Sequence, residues 1–375
     1  MTPTKICLIL NMIPGVRYPQ LTQLLNTLGT PEAILETPAE ELCKIRTIGP
    51  QIAENIASWK SIVDLDKELE SIYSAGANVT TIFDDDYPVA LRNTPDAPIV
   101  LYSYGKWLPI DSERSISFIG TRMASSYGRI CARTIARNLA EHHISIISGL
   151  ALGIDTMGHE GALDAGGRTI AVIGSGLNHI FPKENLDLAH RIVDMGGAIV
   201  TEYPMNQPLK SKNLPRRNRI ISNWGSATLF IETSIKSGAL ATVSLAKKQD
   251  KKIFCVPGSI TGPASKGTHT LIRNGGILIR DAQDIIHDMN WSQYSTDDTT
   301  IPLSITSAQM ADDAKSPLSE KEQTILSTIR RGYNNMDTLC NSLNLSTNDL
   351  APILNKLQSE GSIVSDCEGF FFIDD

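Results

Sequence analysis

The chain has 375 residues, a formal net charge of -7, 41% hydrophobic and 20% charged residues, the composition of a soluble globular protein. At a prior of roughly 150 residues per domain this predicts two or three domains. No apolar run reaches the roughly 18 residues of a membrane span, the N-terminus is too brief for a secretory signal, and six scattered cysteines without a CxxC pair argue against zinc and disulfides. The expectation is a cytoplasmic protein with no membrane partner.

Residues 5–60 read as short helices broken by turns. The Ile13-Pro14-Gly15-Val16 turn and the stretch Thr47–Ile56, which resembles a helix-hairpin-helix element, would let backbone amides at a helix start face a phosphate. Residues 1–65 are therefore expected to form a small helical domain, of the helix-hairpin-helix or SAM-like kind. A linking helix follows and ends at Gly76, and Ile99–Tyr102 reads as a short strand.

From 114 onward strand and helix alternate about seven times. Apolar runs at 115–119, 144–148, 169–173, 198–201, 228–231 and 252–256 are each followed by a turn and a helical period. This predicts an α/β fold, an extended Rossmann-like, doubly wound parallel sheet over residues 80–290. Ligands of such sheets bind at the carboxyl ends of the strands, where Gly120, Gly149, Gly174, Gly258 and the Ser237-Gly238 pair all fall. Residues 291–316, rich in Ser, Thr, Asp and Gln, read as a flexible linker. Three helices and a hairpin over 317–375 predict a C-terminal winged helix-turn-helix. Its third helix, at 348–360, would be the recognition helix in a DNA groove, but it carries one cation, Lys356, against two acids, Asp349 and Glu360, and winged helices also serve as protein-contact modules.

One run stands out chemically. Leu209–Arg219 holds Lys210, Lys212, Arg216, Arg217 and Arg219 and no acid, within an acidic protein. A solvated basic face is the plain reading. The Pro and two Asn in the run instead suggest a loop or helix start, on the same rim as the Gly turns, where an anion docks. A helix is expected over about 217–223.

Other chemistries fit poorly. Gly174-Ser175-Gly176 lacks the third Gly and the acid of a dinucleotide fingerprint, Gly120-Thr121-Arg122 places a charged side chain where the second Gly should be, and no P-loop is present. Ser148, Asp155 and His159 are better read as a turn with Asp155 as N-cap than as a triad. Glu232, a possible base at a strand end, has no attacking group beside it. What remains is anion binding without bond breaking and without a cofactor. Arg122, Lys183, Lys210, Arg216, Arg217 and Arg219 supply charge over several loops, which suits a polymer of phosphates. Tyr127, Phe181, Tyr203 and Trp224 are candidates for stacking on bases.

The motifs Ile119–Arg122, Ser148–Asp155 with His159, Phe181–Asn185, Glu202-Tyr203-Pro204, Pro215–Ile221, Ser237–Leu240 and Val256-Pro257-Gly258 follow, in order and spacing, those of the DprA/Smf DNA-processing proteins, which the chain resembles strongly over about 80–290. Asp86-Tyr87-Pro88 with Pro98–Tyr102 matches the stretch just before them. The resemblance implies an extended Rossmann domain that dimerises. It implies a non-enzymatic protein that binds and protects incoming single-stranded DNA in natural transformation and helps load a RecA-type recombinase. The site residues carried over are Arg122, Lys183, Lys210, Arg217, Asn218 and Arg219; Arg216, Gly120, Gly149, Ser237 and Gly238 are added from the rim. This chain has Leu214 where the family usually has a stacking Phe, and Asn213 where His is common, so Trp224 is considered as a substitute. The alternative is a nucleotide phosphoribohydrolase of the LOG kind, whose PGGxGTxxE motif is not matched by Glu232–Val243.

Overall fold

The computed structural model describes residues 1–233, 251–291, 319–330, 335–359, 363–365 and 371–373. The expected linker therefore lies almost wholly outside the described residues. The chain divides into two compact units, Met1–Met289 and Asn290–Asp375.

The first unit is built on a nine-stranded sheet: β1 Asn78–Thr81, β2 Val100–Gly105, β3 Ser115–Ile119, β4 Ser145–Ser148, β5 Thr169–Val172, β6 Ala198–Thr201, β7 Ala227–Phe230, β8 Ile253–Cys255 and β9 Ile277–Leu278. Their order is β1-β2-β6-β5-β4-β3-β7-β8-β9. All neighbours from β6 to β9 are parallel. β3 to β6 are buried along their whole length, which is why they read as short unbroken apolar runs, covered by helices on both faces. The doubly wound α/β expectation holds, with one difference. β1 pairs antiparallel with β2, and β2 antiparallel with β6, so the sheet is mixed at that edge. β1 had no signal in sequence: its Asn78-Val79-Thr80-Thr81 has a single large apolar residue.

The chain winds outward from β3 through β4 and β5 to β6, then returns so that β7 lies on the other side of β3. This reversal puts the switch point, where such sheets carry their crevice, outside the carboxyl ends of β3 and β7.

Residues 1–65, expected as a domain of their own, share one apolar core with the sheet. The helix Pro3–Met12 buries five consecutive residues, Ile6–Leu10. Such a helix, apolar on every side, has to be enclosed. It packs on β1 and β2. Polar ties reach the same edge: Asn11 donates to the Glu202 carbonyl at 3.0 Å, and the Met205 amide donates to the Glu68 carboxylate at 2.9 Å.

The second unit contains helices Glu320–Arg330, Met336–Leu343 and Thr347–Ser359 and an antiparallel pair, Ile363–Ser365 with Phe371–Ile373. Its own core includes Ile325, Leu339, Leu350, Leu354, Leu357 and Phe371. Lys356, the single cation of its third helix, is paired with Glu322 at 2.7 Å. Among the described residues no helix is long and apolar enough to cross a membrane.

Candidate nucleic-acid interface

The basic run is not a loop throughout. A helix begins at Asn213 and ends at Trp224, so the Arg-Arg-Asn-Arg stretch lies inside it. Pro215 is compatible with this because it occupies the first turn, where no backbone donor is required. The apolar periodicity 217, 220, 221, 224 sets the buried face, and its first member is an arginine.

Arg217 is 4% exposed. Its Nη1 donates to the Gly149 carbonyl at 2.5 Å and to the Val172 carbonyl, joining the ends of β4 and β5. Gly149 is required for this approach: a Cβ there would lie 2.4 Å from the guanidinium. Burial pushes the Arg217 guanidinium down to about 10, opposed by the nearby Asp155 carboxylate and reinforced by the positive charge of Arg122. Asp155 is not the N-cap of the helix Ile154–Asp164, which is Gly153; it accepts from the Ala151 amide at 3.3 Å and answers the buried Arg217 charge.

Arg219 is buried too, between Glu202 and Asp96, the latter at 2.9 Å. Arg216 is half-buried, with its Nε 3.4 Å from Glu202. Asn213 donates to the Gly174 carbonyl at 2.9 Å. The helix is thus latched to the ends of β4, β5 and β6 by side chains that looked, in sequence, like free cations. At its other end Lys251 donates to the carbonyls of Ser222, Asn223 (2.6 Å) and Gly225 (2.6 Å), and burial pushes its ammonium down to about 8. Lys251, Asp96 and Glu202 were missed as site-builders; only Glu202, the first residue of the Glu-Tyr-Pro motif, had a sequence signal.

The exposed cations are others. Arg122, Lys183 and Lys210 are exposed, as is Lys212, and among the described residues none of their side chains makes a hydrogen bond or ion pair. Gly120 and Arg122 lie in the turn after β3, fixed by the Thr121 amide on the Glu232 carbonyl (2.9 Å) and the Ile154 amide on the Thr121 carbonyl (3.2 Å). Lys183 stands in a turn whose Asn185 donates to the Leu150 carbonyl at 2.9 Å, tying it to the Gly149 loop. Asn218 is half-buried on the helix. Ser237 and Gly238 lie outside the described residues.

The remaining candidates take structural places. His159 is fully buried with Nδ1 2.7 Å from the Thr169 hydroxyl, and burial beside Arg217 pushes it down to about 3. The Glu232 carboxylate accepts from the Ser125 amide (2.9 Å) and hydroxyl at the start of the helix Ser126–Glu141. Trp224 is fully buried, edge-on to Trp107 with ring centroids 5.5 Å apart, so it does not replace a stacking ring at Leu214. Tyr203 is buried, whereas Tyr127 and Phe181 are 43% and 48% exposed.

The family described as DNA recombination-mediator protein A matches residues 78–290, more than half of the chain. Protein Smf of Escherichia coli (strain K12) is 38% identical over 208 residues, covering 56% of this chain and 55% of that protein, so this chain spans about half the length of that relative. DNA processing protein DprA of Bacillus subtilis (strain 168) is 34% identical over 225 residues, 60% of this chain and 75% of that protein. The X-ray structure of DprA from Streptococcus pneumoniae matches with a TM-score of 0.65 and 28% identity, covering 76% of this chain and 98% of that one. DNA processing protein A from Helicobacter pylori, solved to show its single-stranded DNA binding mode, matches with a TM-score of 0.52 and 27% identity, covering 57% of this chain and 96% of that one. The switch-point sheet, the rim of Gly turns and these matches together make the chain a member of the DNA recombination-mediator protein A family, the DprA/Smf DNA-processing proteins.

Proposed function

We propose that this protein binds single-stranded DNA on the rim formed by the carboxyl ends of β3 to β6, without catalysis, and protects the strand. In this reading it acts in the cytoplasm as a homodimer that helps a RecA-type recombinase load during natural transformation. The observation that carries the DNA reading is that Arg122, Lys183, Lys210 and Lys212 are exposed and without side-chain partners among the described residues, on loops fixed by backbone hydrogen bonds. Cations held on fixed loops neutralise phosphates in register and carry no sequence preference. The single-stranded DNA binding mode of the Helicobacter pylori relative supports the choice of strand. A non-catalytic role is supported by the sites that might have done chemistry: His159 is enclosed and neutral, and the Glu232 carboxylate is engaged by Ser125, the N-cap of a helix.

The test is fluorescence anisotropy of labelled oligo-dT across a salt series, with the matching duplex as control. Four phosphates neutralised per protomer correspond to a slope near -0.7 × 4, about -2.8 decades of affinity per decade of salt. Binding with that slope and a preference for the single strand is expected. No binding at low salt overturns the proposal.

A further inference from the structure

We infer that the N-terminal helical segment is part of the DNA track, through a polar cavity in which Arg17, beside Lys210 and Lys212, adds one further backbone-phosphate contact. The inference rests on the single-stranded DNA reading and extends it to a segment outside the matched family region of 78–290.

The cavity, about 300 Å³, opens between the turn after the first helix and the loop after β6. Arg17, Lys210, Lys212 and Arg216 all line it. Its acids, Asp96 and Glu202, are already engaged by the buried Arg219, at 2.9 Å in the case of Asp96. Five cations therefore stand against two carboxylates, and the excess charge has no counter-ion among the described residues. Arg17, Lys210 and Lys212 make no side-chain hydrogen bond there. Arg17 sits at the N-cap position of the helix Tyr18–Leu28, next to the turn that opens onto the cavity.

Tyr203 lines the same cavity and is 6% exposed, with its hydroxyl beside the Glu202 carboxylate. The walls are also held in place before any ligand arrives. Asn11 is bonded to the Glu202 carbonyl at 3.0 Å, and Asn55 donates to the Pro14 carbonyl at 3.0 Å. A tetrahedral phosphodiester, with one negative charge shared by two non-bridging oxygens, matches this chemistry, and guanidinium is suited to bind it bidentately.

The experiment compares the full chain with Arg17→Ala, Arg17→Lys, Arg122→Ala and, as a charge control, Lys67→Ala, binding oligo-dT without terminal phosphates across a salt series. Loss of one phosphate contact lowers the salt slope by about 0.7. Arg17→Ala is expected to show that fall and Arg17→Lys to retain the slope, while Lys67→Ala leaves it unchanged. A normal slope in Arg17→Ala beside a reduced one in Arg122→Ala overturns the inference and leaves the DNA reading standing. A fall of the same size in Lys67→Ala also overturns it, because the effect is then one of general charge. Inorganic phosphate at matched ionic strength that restores equal slopes to the wild type and Arg17→Ala marks a free-phosphate site instead of a strand contact. If the wild type itself does not bind oligo-dT, both the DNA reading and this inference fall.

Discussion

Arg217, Asp155 and His159 form a buried polar group beneath the rim, and its protonation has a definite sign. Thr169 gives its hydroxyl proton to the Ile146 carbonyl, so His159 Nδ1 donates to Thr169 Oγ1, and Nε2 faces no partner. Burial disfavours a charge on the imidazole, and a proton there would also stand near the positive Arg217, so His159 is held down at about 3. The unfolded chain titrates near the ordinary histidine value of about 6.5, so between pH 6.5 and 3 the unfolded state binds more protons and stability falls as pH falls. His159→Gln should remove this dependence, with urea midpoints of the two proteins converging from pH 7 to pH 4.5 relative to their gap at neutrality. Each unit of pKa difference corresponds to about 1.4 kcal/mol. An unchanged gap at pH 4.5 would mean that His159 does not control the acid limb. The structural part of this cluster was legible: Asp155 and His159 one helical turn apart read as a turn and helix face rather than a triad. The fate of Arg217 was not, because a guanidinium in a basic run looks the same in sequence whether water or strand-end carbonyls will surround it.

At the scale of elements, the helix Asn213–Trp224 decides where the rim's charge is available. Its apolar face docks through Ile220, Ile221 and Trp224, and its polar latches are Asn213, Arg217 and Arg219. Arg217→Ala would leave the half-buried Asp155 without its neighbouring positive charge, and the Gly149 and Val172 carbonyls without their shared donor. Each buried acceptor left unpaired in this way costs about 1–3 kcal/mol. The expected result is a large drop in urea midpoint, with loss of oligo-dT binding only as the fold is lost. Wild-type stability with weakened binding would instead put Arg217 in direct contact with the strand. The alternation of short apolar runs with helical periods made the parallel strands readable, since both faces of each must be apolar. The antiparallel β1 was unreadable because an edge strand half in contact with water needs no such pattern. The early start of this helix was unreadable because its N-cap falls on Lys212, between the capping types Ser211 and Asn213, and makes no side-chain cap.

Over the whole molecule, a net charge of -7 has to be reconciled with the proposed attraction to a polyanion. At physiological salt the Debye length is about 8 Å, so the strand responds to nearby charges and not to the total. Two of the arginines in the run, Arg217 and Arg219, are enclosed with their counter-groups, and Arg216 is half-buried against Glu202. The free field therefore comes from exposed side chains spread over separate loops, Arg122 after β3 and Lys210 after β6. Because neither makes a side-chain hydrogen bond or ion pair among the described residues, removing either is expected to leave the fold as it is. Sites on separate loops with no shared partner should also act additively. The double change Arg122→Ala with Lys210→Ala should lower the salt slope by about 1.4, twice the single-contact value of 0.7, and leave the thermal midpoint unmoved. Single changes that each lower the slope by the same 0.7 or so as the double change would show that the loops grip one shared phosphate. A fall in midpoint would show that their charges hold the rim together instead of meeting the strand.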